Sequence, residues 1–206
     1  TSNLSLPEEA FPTPISKKEP EEMNITFKKG EIKAVNGKDF LKPIEAIQYI
    51  QEIAEPFAIG RDTHVGDTII GIKGRVSFEA AAPFIILKAH HLLEKHTLTK
   101  NQLLIKDQLS LSYGNYLHDG LVLDPVMHDI EKLFENSQKT VNGTVKILLK
   151  PYHFSLIGIE SPNDLMSSEF GTYGEMNKTW TEADVKGFSK IYSNALSIYH
   201  QVNNKK

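Results

Sequence analysis

The sequence predicts an α+β (mixed α/β) fold, an antiparallel-rich sheet packed with helices, plus a long C-terminal helical arm. Two observations carry that prediction. Runs that alternate apolar and polar residues lie near both ends of the chain, at 23–35 and 145–156, with turn residues inside each run. Between them lie helical spacings opened by proline or by a capping residue, and another closes the chain.

Residues 1–21 hold Pro7, Pro12, Pro14 and Pro20 with the mixed-charge run Lys17-Lys18-Glu19, so they read as an extended lead-in or linker without regular structure. Met23, Ile25 and Phe27 then alternate with polar neighbours. Lys29-Gly30 turns the chain into 32–35, and Asn36-Gly37 is a second turn signal. Pro43 opens a helix with Ile44, Ile47, Ile50, Ile53 and Ala54 on one face, and Pro56 stops it.

Pro83 opens a helix over 84–96, apolar on nearly all sides through Leu87, which makes it the central buried one. Thr99 caps a third helix with Ile105, Leu109, Tyr113, Tyr116 and Leu117, ending at Asp119-Gly120. Asp124-Pro125 is a cap followed by proline at the first helical position, ahead of Val126, Ile130, Leu133, Phe134 and Ser137. Val145, Ile147 and Leu149 alternate, Lys150-Pro151 turns, and Tyr152, Phe154 and Leu156 alternate back. A glycine-bearing loop is expected over 161–179. The last helix runs from the capping signal Thr181-x-x-Asp184 to about Val202. Its apolar residues Val185, Phe188, Tyr192, Ala195, Tyr199 and Val202 are spaced 3, 4, 3, 4, 3, a coiled-coil-like seam. Such a seam suits packing on its own domain or an arm that docks on a neighbouring subunit. The expected boundaries are therefore a lead-in over 1–21, a folded body over 22–180 and an oligomerisation helix over 181–206.

Composition narrows the function classes. The 206 residues hold 23 basic and 26 acidic side chains, for a net charge of -3, which gives no reason to expect nucleic acid or an anionic membrane as partner. No apolar run approaches the roughly 18–20 residues that span a bilayer. No basic-then-apolar leader is seen, and the chain opens Thr1-Ser2-Asn3, as methionine removal or truncation would leave it. The absence of cysteine excludes disulfides, thiolate metal sites and a cysteine nucleophile, and it fits a reducing, cytoplasmic setting.

The most unusual segment is Gly60-Arg61-Asp62-Thr63-His64-Val65-Gly66-Asp67-Thr68, followed by Gly71-Ile72-Lys73-Gly74-Arg75. Glycines let a backbone approach a ligand, while Arg and Lys supply donors for carboxylate or phosphate. The competing reading is a pair of tight turns with solvated charges. Ile69-Ile70 suggests a strand between the two halves. Neither common phosphate loop nor a G-x-S-x-G elbow occurs. His90, His91, Glu94 and His96 are poorly spaced for a metal, since His91 points about 100° from the face shared by His90 and Glu94. One packed and one surface histidine is the expectation, with His118 and His128 as caps at element ends. Glu160-Ser161-Pro162 follows a strand end and reads as a loop or simple turn.

Taken together, these residues resemble the C-terminal half of argininosuccinate synthase. The resemblance is carried by Gly60-Arg61-Asp62, Gly71-Ile72-Lys73-Gly74-Arg75, Phe78-Glu79, Ala89-His90 and Leu93-Glu94. It continues in Lys106-Asp107-Gln108-Leu109, Gln138-Lys139-Thr140-Val141, Gly143-Thr144-Val145, Gly158, Ser161-Pro162, Asp184 and Gly187-Phe188. It runs collinearly from about Ile25 to about Ser197.

The resemblance implies half of a cytoplasmic biosynthetic enzyme that joins citrulline to aspartate and cleaves ATP to AMP and pyrophosphate through a citrullyl-adenylate. It implies that ATP and Mg2+ belong to an N-terminal nucleotide-binding domain, so the fragment alone would bind no cofactor and turn nothing over. It further implies a homotetramer, with the 181–206 helix reaching across subunits and 22–180 as the synthetase domain. No catalytic residue and no metal ligand is assigned within the chain. The substrate-binding positions implied are Gly66, Asp67, Lys73, Arg75, Phe78 and Glu79.

Two of these depart from the family's pattern. A glutamate precedes the Asn/Asp there, where this chain has Gly66, and a tyrosine precedes the later glutamate, where it has Phe78. A glycine cannot ion-pair with an ammonium, and phenylalanine has no hydroxyl. The change suits an N-acyl citrulline, whose α-nitrogen is uncharged, or replacement of the lost contact by another group. An assembly or binding module that keeps the fold without the chemistry is the alternative.

Overall fold

The computed structural model describes residues 3–4, 6–68, 70–166, 171 and 179–204. Ile69 and most of the loop expected over 161–179 lie outside the described residues. Residues 1–165 form one compact unit and 166–206 a second.

The first unit is built on a five-stranded antiparallel sheet. β1 (Glu21–Lys28), β2 (Glu31–Val35) and β3 (Lys38–Asp39) form a meander. β6 (Gly143–Lys150) and β7 (His153–Glu160) form a hairpin, and β1 pairs with β6 to give the order β3-β2-β1-β6-β7. Met23, Ile25, Phe27, Val145, Ile147 and Leu149 alternate inward and are buried. A bulge at Lys146/Ile147 leaves Ile157 exposed while Phe154, Leu156 and Ile159 still pack on the core.

Helix α1 (Pro43–Ala54) and helix α2 (Ala81–Thr97) cover that apolar face. On α1, Ile50 and Ala54 are buried with Ala46, and Ile47 and Ile53 pack against the core, while Ile44 of the expected stripe is exposed. The chain leaves α1 through a 3-10 turn, Glu55–Phe57, that contains Pro56. α2 starts two residues before Pro83, which fits because first-turn amides have no intrahelical acceptor. It is the central helix, yet Leu87 is 69% exposed, so it is buried on one side only.

Helix α3 (Lys100–His118) carries the capping box of Thr99 with Gln102, worth about 1 kcal/mol. Ile105 and Leu117, expected on its inner stripe, are 45% and 50% exposed. Leu109, Tyr113 and Tyr116 are half-buried as expected, and Leu103, Lys106 and Ser110 join them on the inner side. Helix α4 (Pro125–Gln138) is capped by the Asp124 carboxylate, which accepts from the Val126 amide at 3.0 Å, and buries Met127, Ile130 and Ser137. The lead-in is not wholly irregular: Glu8–Ala10 forms a 3-10 turn.

In the second unit the terminal helix is two helices, α5 (Glu182–Tyr192) and α6 (Asn194–Asn203), rather than one. They meet at Ser193, whose hydroxyl donates to the Lys190 carbonyl at 3.4 Å. α5 starts directly after Thr181 as expected, with the Asp184 carboxylate accepting from the Thr181 amide at 2.8 Å and from its hydroxyl at 2.6 Å. Val185, Phe188, Tyr192, Tyr199 and Val202 are exposed, as are Ile191, Leu196 and Ile198, so the apolar surface is wider than the heptad seam. No described helix is long and apolar enough to cross a membrane.

Candidate functional site

The glycine-rich charged segment folds into a separate two-stranded hairpin, β4 (Arg61–Asp67) and β5 (Lys73–Glu79). Ile70 lies in the connecting turn and not in a strand, so the two halves are paired side by side rather than placed at the ends of one element. The turn closes through the Thr68 hydroxyl, which donates to the Ile72 carbonyl at 2.6 Å. At the base, the Ala80 amide donates to the Gly60 carbonyl at 2.9 Å. Gly60 has φ +82°, and a Cβ there would come within 2.6 Å of the Ala80 backbone, so the close crossing requires glycine.

Cross-strand register assigns each implied substrate position to a face. Arg61 pairs with Glu79, Thr63 with Ser77, Val65 with Arg75 and Asp67 with Lys73. Directly opposed residues share a face, so Asp67, Lys73, Arg75 and Glu79 lie together. Gly66 and Phe78 lie on the other face with Asp62, His64, Gly74 and Val76. The structure thus brings the six positions onto one hairpin but divides them between its two sides.

On the charged face, Lys73 forms an ion pair with Asp67, and the Arg75 guanidinium donates to the Leu4 carbonyl at 3.0 Å. Glu79 is committed elsewhere: its side chain is 2% exposed and accepts from Arg61 Nε at 3.0 Å. On the opposite face the His64 ring lies over Gly66, where a Cβ would come within 2.7 Å of Nε2. Phe78 stacks on Phe84, with ring centroids 6.1 Å apart.

A second polar constellation was not read from the sequence as a unit. Glu94 on α2 is fully buried, and Lys106 on α3 donates to its Oε2 at 2.8 Å. The Gln138 side-chain amide, at the end of α4, donates to Oε1 at 2.7 Å. That orientation aims Gln138 Oε1 at His90 Nε2, 3.0 Å away, so Nε2 must carry the proton in the neutral ring. Burial acts to raise the Glu94 pKa, but Lys106, His90 and Gln138 outweigh it and hold it below the ordinary carboxylate value. Burial pulls the His90 pKa below its ordinary value, and the Glu94 carboxylate 3.8 Å away offsets this only in part.

His90 and Lys106 also line two clefts of about 840 and 600 Å³. His90, Glu94, Lys106 and Gln138 all belong to the motifs that carry the resemblance, and no signal in the one-dimensional pattern joined them. His90 packs against Phe27, whereas His91 is 40% exposed, one packed and one surface ring as expected. His96 faces Asp164 at 3.1 Å, and His128 faces Glu131 at 3.1 Å near the start of α4. Among the described residues, no three His, Asp or Glu side chains converge as a metal site. Ser161, beyond β7, donates to the Asn142 carbonyl at 2.6 Å and accepts from the Asn163 amide at 3.1 Å, the bonding of a turn.

Comparison with known proteins agrees in extent with the resemblance. The family model described as "Arginosuccinate synthase C-terminal domain" matches residues 8–199. The argininosuccinate synthase of Methanothermobacter thermautotrophicus is 35% identical over 200 residues, covering 95% of this chain and 49% of the relative. That of Methanocaldococcus jannaschii is 32% identical over 203 residues, covering 97% and 51%. That of Dictyoglomus turgidum is 35% identical over 189 residues, covering 91% and 47%. The chain spans about half the length of these curated relatives.

Proposed function

Because the chain belongs to the argininosuccinate synthase family, as its C-terminal domain, we propose that it supplies the synthetase and multimerisation half of an ATP-dependent carbon–nitrogen ligase acting in arginine biosynthesis. The carrying observation is the family match over 8–199, which includes the hairpin and the buried network together. In the proposed reaction the ureido oxygen of citrulline attacks the α-phosphorus of ATP and pyrophosphate leaves. The aspartate amine then attacks the ureido carbon of the adenylate, and AMP leaves with the oxygen. ATP and Mg2+ are assigned to the protein's own N-terminal nucleotide-binding domain, so this chain alone turns nothing over. The role proposed for β4–β5 is to present Asp67, Lys73 and Arg75 toward the polar groups of the amino-acid substrates. Gly66 and Phe78 stand at the remaining implied positions.

The exposed apolar faces of α5 and α6 support the proposal that they dock on neighbouring copies in a homotetramer. A cytoplasmic location, without nucleic-acid or membrane partners, belongs to the same reading. Gly66 favours a variant of it in which an N-acyl citrulline is the substrate, because no carboxylate at that position faces an ammonium. A non-catalytic assembly module is the competing reading, favoured by the same two substitutions.

Pyrophosphate release by the intact protein, measured with ATP, aspartate and either citrulline or an N-acyl citrulline, separates these. Release that requires one citrulline and aspartate supports the ligase. No release with any of them refutes the ligase and leaves the assembly module. Strong preference for free citrulline refutes the acyl variant, and release by residues 1–206 alone refutes the inactive-fragment proposal.

A further inference from the structure

One side chain ties the β4–β5 hairpin to two other parts of the chain. Arg61, 11% exposed, donates from Nε to Glu79 at 3.0 Å, from Nη1 to Glu8 at 2.8 Å and from Nη2 to the Thr13 carbonyl at 2.6 Å. The Phe11 ring covers the guanidinium with its centroid 4.4 Å away, and the Tyr152 ring, from the turn before β7, lies at 5.7 Å. Arg75 adds a second tie to the lead-in through the Leu4 carbonyl. Among the described residues the two strands pair only with each other, and Phe78 stacks on Phe84 of α2 from the opposite face. Behind the tie, the amides of Ser16 and Lys17 both donate to the Pro56 carbonyl, at 2.9 and 3.0 Å, which fixes the lead-in to the turn after α1.

We propose that Arg61 is a positioning residue, which sets the hairpin's angle through the lead-in and thereby places Asp67, Lys73 and Arg75 for substrate. This rests on the reading that the hairpin's charged face meets the amino-acid substrate. The guanidinium is suited to the task because it offers donors in a rigid planar fork, with three directions used here at once. A lysine supplies one mobile point charge and cannot hold the same three acceptors. Leverage makes the angle matter. β4 is on the order of 20 Å long at roughly 3.3 Å per residue. A tilt of about 10° at Arg61 therefore moves the Asp67 end by about 3 Å, and misplacement by about 1 Å can cost on the order of 100-fold in rate.

The lead-in is thus part of the substrate-positioning apparatus, and chain motion upstream of β1 reaches the hairpin through Glu8, Phe11 and Thr13. Arg61 itself touches no substrate.

The experiment compares Arg61→Lys and Glu8→Gln in the intact protein, carrying whatever chain precedes Thr1. Glu8 is half-exposed, so its variant keeps the fold even where changes at Arg61 do not. Amide hydrogen exchange of 61–79 is read beside KM for each substrate. The expected result is faster exchange in 61–79 alone, a KM for the citrulline-type substrate raised about 10-fold by Arg61→Lys and about 3-fold by Glu8→Gln, and an unchanged KM for ATP. Unchanged exchange overturns the proposal, and so does faster exchange spread evenly through β1 and β6. Faster hairpin exchange with unchanged KM also overturns it. In that event, Lys73→Ala and Asp67→Ala tell which part failed. If they raise the same KM, the positioning role alone is wrong. If they do not, the hairpin does not meet substrate.

Discussion

Replacing Lys106 by methionine should destabilise the protein far more than a surface lysine change, because it strands the carboxylate of Glu94. The pair is separated by 2.8 Å, and its gross attraction is about 6 kcal/mol at an effective dielectric of about 20. Removing one partner of a buried pair typically costs about 3–5 kcal/mol, since the other charge stays dehydrated. Here the lower end applies. Gln138 still donates to Oε1, so the stranded carboxylate keeps one hydrogen-bond partner. A loss of about 3 kcal/mol corresponds to roughly 6–12 °C in Tm for a chain of this size.

Glu94→Gln should cost less, about 1–2 kcal/mol, because the Lys106 head is partly exposed and can turn to water. Urea unfolding of both single variants and the double variant at pH 7.5 closes the cycle. The expected coupling is about 2 kcal/mol, with the double variant more stable than the sum of the singles implies. Single effects that add within about 0.5 kcal/mol, or a Lys106→Met variant that melts within about 2 °C of the parent, would refute the pair as a cohesive element.

Other outcomes follow from the same geometry. The His90 pKa lies below its unfolded value of 6.5, so the unfolded state binds the proton first. Stability is then complete above that value and falls as pH drops through it, by at most about 1.4 kcal/mol per pH unit. His90→Gln should flatten the stability profile below pH 6.5, and an unchanged slope there would count against the buried neutral ring. Gly30 and Gly37 have nearly equal φ, +79° and +77°, but a Cβ at Gly30 meets Gln138 Oε1 at 2.3 Å whereas one at Gly37 meets nothing. Alanine at Gly37 should cost about 1 kcal/mol and at Gly30 about 1–2 kcal/mol more, read by chemical denaturation, and equal costs would show that Gln138 yields freely. Tyr192→Glu with Tyr199→Glu should lower the molecular mass of the intact protein in light scattering, and a mass unmoved from the parent assembly would remove α5 and α6 from the interface.

Caps and turns were legible because their signals are local. Thr99 and Asp124 each cap where expected, α5 starts directly after Thr181, and Lys29-Gly30 and Asn36-Gly37 each turn the chain. The alternating runs identified β1 and β6 for the same reason. The inner face of α3 was legible only in part: Leu109, Tyr113 and Tyr116 turn inward as their spacing says, but hydropathy places a lysine outward. Lys106 faces inward only because Glu94, on another helix, lies within reach. The β4–β5 hairpin was half-legible. Its residues stood out, but neither strand buries a continuous apolar face, so period-two alternation left no mark. Nor could spacing reveal which of its charged residues are engaged, since the partners of Arg61 at Glu8 and Thr13 are brought up by the fold. The bend at Ser193 escaped notice because the heptad count continues across it.

The pairing of β1 with β6 also sets a clock on the ribosome. Phe27 sits opposite Gly143 and Glu21 opposite Leu149, so β1 lacks its second partner until more than 110 further residues have been added. At roughly 5–20 residues per second that is a wait of about 6–23 s. Throughout it the β1–β2 hairpin can form locally, but one edge of β1, with Met23, Ile25 and Phe27, remains open to other nascent chains. Synonymous slowing of translation between α2 and α4 should therefore lower the yield of soluble protein, and binding of a chaperone to the emerging segment 21–35 should restore it.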